Sequence, residues 1–407
     1  MRSVSDETPI FVSHLECSAT GTHYPADTVH GLSEAGKPLL VRYDLEALGK
    51  TVSKASLAQR REEGFWRYRD FLPVRRAANR LSLGEVTTPL IPLTRYGARL
   101  TTKDEGRLPT GSFKARGLAL GVSMAKELGL KHLAMPTNGN AGAAMAAYAS
   151  RGGLRSTVFC PDDTPDINVR EIALQGAEVY RVNGLINDCG KLVGQGKATR
   201  GWFDLSTLKE PYRIEGKKTM GIELAEQLGW RLPEAIFYPT GGGTGLIGMW
   251  KAFHELREIG WLTGPLPKMI AVQATGCAPI VKAWQAGADH APLWENARTI
   301  AAGIRVPTAV GDFLILNAVR ESGGWAEAVS DNTITEARDR IAHEAGMLMC
   351  PEGAATFAAW EKAVADGRLH RDAEAVLFNC ATGLKYPMPD KAGVWDKDTS
   401  VFNDTRI

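Results

Sequence analysis

Residues 103–117 read KDEGRLPTGSFKARG. Pro109, Thr110 and Gly111 form a turn signal, and Ser112 and Phe113 lead into Lys114, where a helical pattern begins and runs over 114–129. A lysine near a helix N-terminus sits in positive potential, and burial also disfavours its charged form. Both effects lower its pKa, as an imine-forming lysine requires. An isolated lysine in a basic first turn is most simply a surface residue. Here Gly111, Ser112 and Phe113 suit an exposed helix start poorly, which favours a reactive Lys114.

Outward from this segment, apolar strand runs alternate with amphipathic helices. Strands are expected over 132–137, 156–161, 177–182, 235–240, 269–275 and 375–381. Helices are expected over 141–150, 169–174, 218–228, 246–256, 335–345 and 354–365. On the N-terminal side, a polar helix over 56–72 stops at Pro73, and an extended segment over 87–96 is interrupted by Pro89 and Pro92. This alternation predicts parallel sheets covered on both faces, which bind ligands at the carboxyl ends of their strands.

Two glycine-bearing segments fall at such ends. TNGNAG, residues 137–142, lies between a strand and a helix of small residues, where exposed amides form an anion site. An ordinary N-cap by Asn138 or Asn140 is the plain alternative, but a helix start needs only one asparagine. In PTGGGTGLIG, residues 239–248, repeated glycines let several N–H groups converge on a phosphate, and Thr244 adds a hydroxyl. Gly243, Gly245 and Gly248 also match a dinucleotide fingerprint, which requires an acidic residue at the end of the next strand. That strand offers Gln273 instead.

PTGSFKARG resembles the lysine motif of the fold-type II pyridoxal-phosphate (PLP) enzymes, and its longer form is most similar to threonine synthase. The resemblance implies an α/β architecture like that of the tryptophan synthase β chain, with two parallel-sheet domains, PLP in the cleft and an N-terminal appendage. The implied division is a degenerate ribbon-like lead plus helix at 1–80, a large PLP-binding domain at 81–119 and 204–407, and a small mobile domain at 120–203. By the same resemblance Lys114 carries PLP as a Schiff base and moves the substrate's α- and β-protons. Asn140 donates to the cofactor's 3-hydroxyl, while Thr137 and Asn138 bind the substrate carboxylate. Gly241, Gly242, Gly243, Thr244 and Gly245 hold the cofactor phosphate. In AVLFNCATG, residues 375–383, Cys380 or Thr382 hydrogen-bonds the pyridine nitrogen, and register favours Cys380. A core-packed Cys380 is the plain alternative.

LKEPYRIEGKKTMGIELAEQLGW, residues 208–230, is similar to the threonine synthase segment that precedes the phosphate cup. The resemblance assigns Arg213 to the phosphate of O-phosphohomoserine, and Lys217 and Lys218 are further cations in the segment that would compensate for side-chain donors missing from the cup. A guanidinium fork suits such an anion, although pairing with Glu210 or Glu215 reads equally well. The implied reaction is that of a lyase turning O-phospho-L-homoserine and water into L-threonine and phosphate. Ala141 in place of a hydroxyl residue, the all-glycine cup and Cys380 depart from that pattern. They fit the alternative of a serine/threonine dehydratase, a diaminopropionate ammonia-lyase or a cysteate synthase type of enzyme. A non-catalytic binding protein is opposed by the intact Lys114, Asn140 and cup.

The 407 residues exceed what one hydrophobic core usually serves. A net charge of +2 makes no case for nucleic acid or an acidic membrane as partner, and no long apolar run predicts a membrane span. The opening MRSVSDETPIFVSHLE lacks the apolar core of a secretory signal, and six cysteines without paired spacing suit a reduced, cytoplasmic enzyme. Cys17 lies near His14, His23 and His30, but one thiol without a Cys-x-x-Cys pair makes a weak zinc motif, and no metal is expected. The expected partners are a small amino-acid substrate and, by resemblance, a second copy of the chain in a homodimer.

Overall fold

Three sheets organise the chain in the computed structural model, which describes residues 10–393. Residues 1–9, the first part of the opening segment MRSVSDETPIFVSHLE, and 394–407, the end of the expected large domain, lie outside the described residues. The first sheet is antiparallel, in the order β2 (His23–Tyr24), β1 (Val12–Cys17), β3 (Leu39–Tyr43). The chain then enters a larger sheet with β4 (Leu90–Pro92) and β5 (Leu100–Asp104). It leaves to build a wholly parallel four-stranded sheet from β6 (His132–Pro136), β7 (Arg155–Pro161), β8 (Glu178–Val182) and β9 (Phe203–Asp204). It returns to the larger sheet with β10 (Ala235–Pro239), β11 (Lys268–Ala274), β12 (Ala326–Val329) and β13 (Ala375–Asn379).

The larger sheet runs β12-β11-β10-β13-β5-β4 and is parallel except for its edge pair β4–β5. β10 and β13 are therefore central neighbours, and the turns that follow both strands open at the same end of the sheet. β10 is buried at every position, as a strand covered on both faces must be.

The N-terminal helix expected over 56–72 is absent. A short helix at Lys54–Ala58 and a 3₁₀ segment at Phe65–Phe71 take its place, divided at Gly64 with φ of 65°. A Cβ at Gly64 would stand 2.4 Å from the Glu85 carbonyl, so only glycine holds this positive φ, which interrupts a regular helix. β5 was also unforeseen, because LTTKD is polar and short.

Its polarity is absorbed by a buried ion network. Lys103 Nζ lies 2.7 Å from Glu223 Oε1. Arg116 binds Glu105 Oε2 at 2.7 Å through Nε and Glu223 Oε1 at 2.8 Å through Nη2. All four side chains are fully buried, and two cations face two anions. Thr88 adds its hydroxyl to both carboxylates. The network ties β5 to the helices Lys114–Glu127 and Tyr212–Gln227, and so fixes the helix on which Lys114 stands.

Candidate active site

Lys114 begins its helix beside the end of β13, and the two segments are pinned together. Phe113 N–H donates to the Cys380 carbonyl at 2.8 Å, and Thr382 N–H donates to the Gly111 carbonyl at 2.9 Å. An antiparallel bridge joins Ser112 to Ala381 between them. Burial and then the nearby Arg213 charge lower the Lys114 amine to about 8. Nζ lies 4.4 Å from the centre of the Phe113 ring.

The cleft above Lys114 is walled by both parallel sheets. The turn after β10 supplies Gly241, Gly242, Gly243, Thr244 and Gly245, and the end of β13 supplies Cys380. The turn after β6 supplies Thr137, Asn138, Gly139, Asn140 and Ala141 from the opposite side. Gly243 takes φ of 74° as the N-cap of the helix Thr244–Glu258, whose first turn has no internal acceptors for its N–H groups. A Cβ on Gly245 would stand 1.8 Å from the Tyr238 hydroxyl oxygen, so only glycine lets the helix start pack this closely on Tyr238.

The asparagine loop is held in several ways. Thr137 Oγ1 accepts the N–H groups of Gly139 and Gly142 at 3.0 and 2.9 Å, which leaves its own hydroxyl proton to give. Asn138 Nδ2 crosses to the Ala302 and Arg305 carbonyls at 3.2 and 3.0 Å. Arg305 in turn grips Asp163, at 2.6 and 2.7 Å. Asn140 Nδ2 donates to the Tyr386 hydroxyl at 3.0 Å, while its Oδ1 is buried without a hydrogen-bond partner.

Four residues expected at the site lie elsewhere. Thr382 is not in the cleft wall, because its side chain accepts the Leu384 N–H and caps the turn Gly383–Lys385. Arg213 is 1% exposed and spends Nη1 on the Leu205 carbonyl at 2.7 Å, which puts it behind Lys114 rather than in the cleft. Lys217 is fully buried, with Nζ over the Phe113 ring and bonded to the Phe113 carbonyl. Burial, with the Lys114 charge second, drives its amine well below the ordinary lysine range. Lys218 is buried too, 2.7 Å from Glu215. The helix Tyr212–Gln227 packs so closely on the lysine helix that a Cβ on Gly216 would stand 2.2 Å from the Arg116 carbonyl. No cation on it reaches the cleft.

Glu352 and Tyr386 line the cleft and were not foreseen. Glu352 Oε1 accepts the Gly303 N–H at 2.6 Å. Burial and the adjacent Glu352 push the Tyr386 hydroxyl well above its ordinary pKa. Burial likewise raises the Cys380 thiol, although Lys114 and Lys217 oppose the shift, so Cys380 faces the cleft as a neutral S–H.

Residues 81–381 match the family described as pyridoxal-phosphate dependent enzyme. The chain belongs to that family of PLP-dependent enzymes, and within it to the threonine synthase type. It is 34% identical over 377 residues to threonine synthase of Methanocaldococcus jannaschii, covering 91% of this chain and 92% of that one. Threonine synthase of Methanosarcina acetivorans is likewise 34% identical, over 92% of both chains. Among solved structures, maize serine racemase matches with a TM-score of 0.63 at 20% identity, over 73% of this chain and 88% of that one. Threonine deaminase isoform 2 of Solanum lycopersicum matches with a TM-score of 0.64 at 19% identity, over 81% and 90%.

The residues present fit PLP. A primary amine with a lowered pKa stands in the cleft, and a glycine cradle opens a helix N-terminus there. Lys114 attacks a carbonyl only as the free amine. The rate at which apoprotein captures PLP should therefore rise with pH through about 8 and level off above it, followed by the visible absorbance of the linked cofactor. Gly245→Ala should weaken cofactor retention by about 10- to 100-fold, equivalent to an overpacking cost of about 1–3 kcal/mol, read by titrating apoprotein with PLP.

Proposed function

We propose that the enzyme converts O-phospho-L-homoserine and water to L-threonine and phosphate. The observation that carries this reading is the likeness to threonine synthases, which extends through 91% of the chain. Bound PLP would supply the electron sink for electrons released at the substrate α-carbon. Lys114 Nζ would take the proton from that carbon and move protons at the β-carbon. Thr137, Asn138 and the amides of their turn would hold the substrate carboxylate, and Asn140 would face the cofactor's 3-hydroxyl. The neutral Cys380 thiol would face the pyridine nitrogen and leave it without a proton, which favours elimination and replacement chemistry. On this reading residues 120–203 close as a small domain over 81–119 and 204–407, behind a lead at 1–80, in a cytoplasmic homodimer. No described helix is long and apolar enough to cross a membrane.

A second reading rests on the charges in the cleft. Lys114 is the basic side chain among the lining residues and Glu352 the acidic one, while Arg213, Lys217 and Lys218 point elsewhere. Such a wall suits an amino acid without a phosphate, as in a dehydratase or ammonia-lyase. Purified protein should be given O-phosphohomoserine, serine, threonine, diaminopropionate and phosphoserine, with phosphate, ammonia, keto acid and threonine assayed separately. Stoichiometric phosphate and threonine from O-phosphohomoserine alone is the expected result. Ammonia and keto acid from an unphosphorylated substrate, with O-phosphohomoserine inert, would replace the first reading with the second.

A further inference from the structure

Away from the cleft, the N-terminal sheet brings together three ligand-type side chains from the segment 14–23. His14 and Glu16 are two residues apart on β1 and so share a face, and His23 on β2 is the direct antiparallel partner of Glu16. Nε2 of His14 and Nε2 of His23 each lie 3.8 Å from Glu16 Oε2, and the three atoms are all within 4.8 Å of one another. The two imidazole centres are 3.9 Å apart.

The surrounding contacts leave these three atoms available. Ser13 Oγ engages His14 Nδ1 at 2.9 Å, and this orients the ring. His14 Nε2 is then buried with no hydrogen-bond partner. Arg42 takes Glu16 Oε1 at 2.6 Å through Nη2, which leaves Oε2 facing the histidines.

We propose that His14 Nε2, Glu16 Oε2 and His23 Nε2 bind a borderline divalent transition-metal ion, with zinc(II) the best match to two imidazoles and a carboxylate. Ligand atoms on a tetrahedral zinc with bonds of about 2.0–2.1 Å stand roughly 3.4 Å apart. The 3.8 Å spacings close to that value with a small side-chain rotation, and His23, 64% exposed, is free to make it. His14 and Glu16 also border a groove against the helix Thr244–Glu258, so solvent reaches the fourth coordination position. Cys17 is no ligand here. As the next residue after Glu16 it points to the other face of β1, where its thiol is buried against the Ser33 hydroxyl at 3.1 Å. None of the three ligands lines the PLP cleft, so the ion would clasp β2 to β1 and take no part in the chemistry.

The test uses tag-free, full-length, PLP-loaded protein stripped with a chelator and titrated calorimetrically with zinc chloride. One zinc per chain is expected. His14→Ala and His23→Ala should each lower affinity by roughly tenfold or more, since even outer-shell losses commonly cost that much. Cys17→Ser should leave affinity unchanged. Cobalt(II) should give visible bands without the near-ultraviolet charge transfer of a thiolate. Zinc should raise the thermal midpoint of the wild-type chain but not of His23→Ala, an exposed substitution that leaves the core untouched. Absence of stoichiometric binding, binding indifferent to both histidine variants, or loss of binding in Cys17→Ser would each overturn the proposal.

Discussion

Lys114→Ala should lower turnover by about 10³-fold or more, within the range that loss of a positioned proton-transfer group produces. The expectation rests on position as well as chemistry. Lys114 is the basic group in the cleft, and its amine, lowered to about 8, is available as a base near neutral pH. Replacement also removes the one lysine among the described cleft-lining residues, the point at which the cofactor would be linked covalently. Borohydride treatment of wild-type protein with PLP should add mass at residue 114, and the variant should take none. Far-ultraviolet dichroism and the thermal midpoint should barely move, because the helix start is fixed by Phe113 and Thr382 through backbone bonds. Lys114→Arg should not rescue activity, since a guanidinium does not give up its proton at any relevant pH. Turnover near the wild-type rate in either variant would remove Lys114 from its assigned role.

The second large effect concerns stability. Glu223→Ala leaves Lys103 and Arg116 fully buried with one carboxylate, Glu105, between them. Breaking a buried ion network on one side costs about 3–5 kcal/mol, because a charge is left without its partner. The double variant Lys103→Met with Glu223→Gln should lose less than Glu223→Ala alone, since it removes charge from both sides. Thermal midpoints of the three proteins decide the matter. Arg116 and Lys103 hold the Glu223 carboxyl down to about 2 against the cost of burial. A depressed folded-state pKa contributes stability that is complete above the ordinary carboxylate value and is lost as pH falls toward the folded one. Wild-type protein should therefore weaken in acid more steeply than the double variant.

What could be read from the sequence depended on whether the backbone or the surroundings set a residue's role. The cradle Gly241–Gly245 was legible because a converging turn excludes side chains, and glycine records that exclusion directly. Lys114 and Asn140 were legible through the same kind of local constraint at strand–helix turns. Glu352 was not. Pro351 followed by an acidic residue in a first turn is also what any stable helix start looks like, and only the fold brings it to the cleft. Arg213 and Lys217 carried the right charge in a suggestive segment, but tight packing against the lysine helix turned them inward. β5 was hidden because Lys103 is satisfied by Glu223 and Asp104 by Asn379, both more than a hundred positions away. His23 joins His14 and Glu16 on the N-terminal sheet only through strand pairing, which sequence spacing does not reveal.

The two walls of the cleft carry different responsibilities. Lys114, Cys380 and the glycine turn all stand on the larger sheet, whereas Thr137 through Ala141 and Asn168 come from the smaller one. Apart from Asn140, a change in the loops of the smaller sheet can therefore retune which molecule is admitted while Lys114 and the glycine turn stay as they were. That independence makes the scaffold readily diversified, and in a laboratory evolution library the turn at 137–142 is where selectivity would shift first.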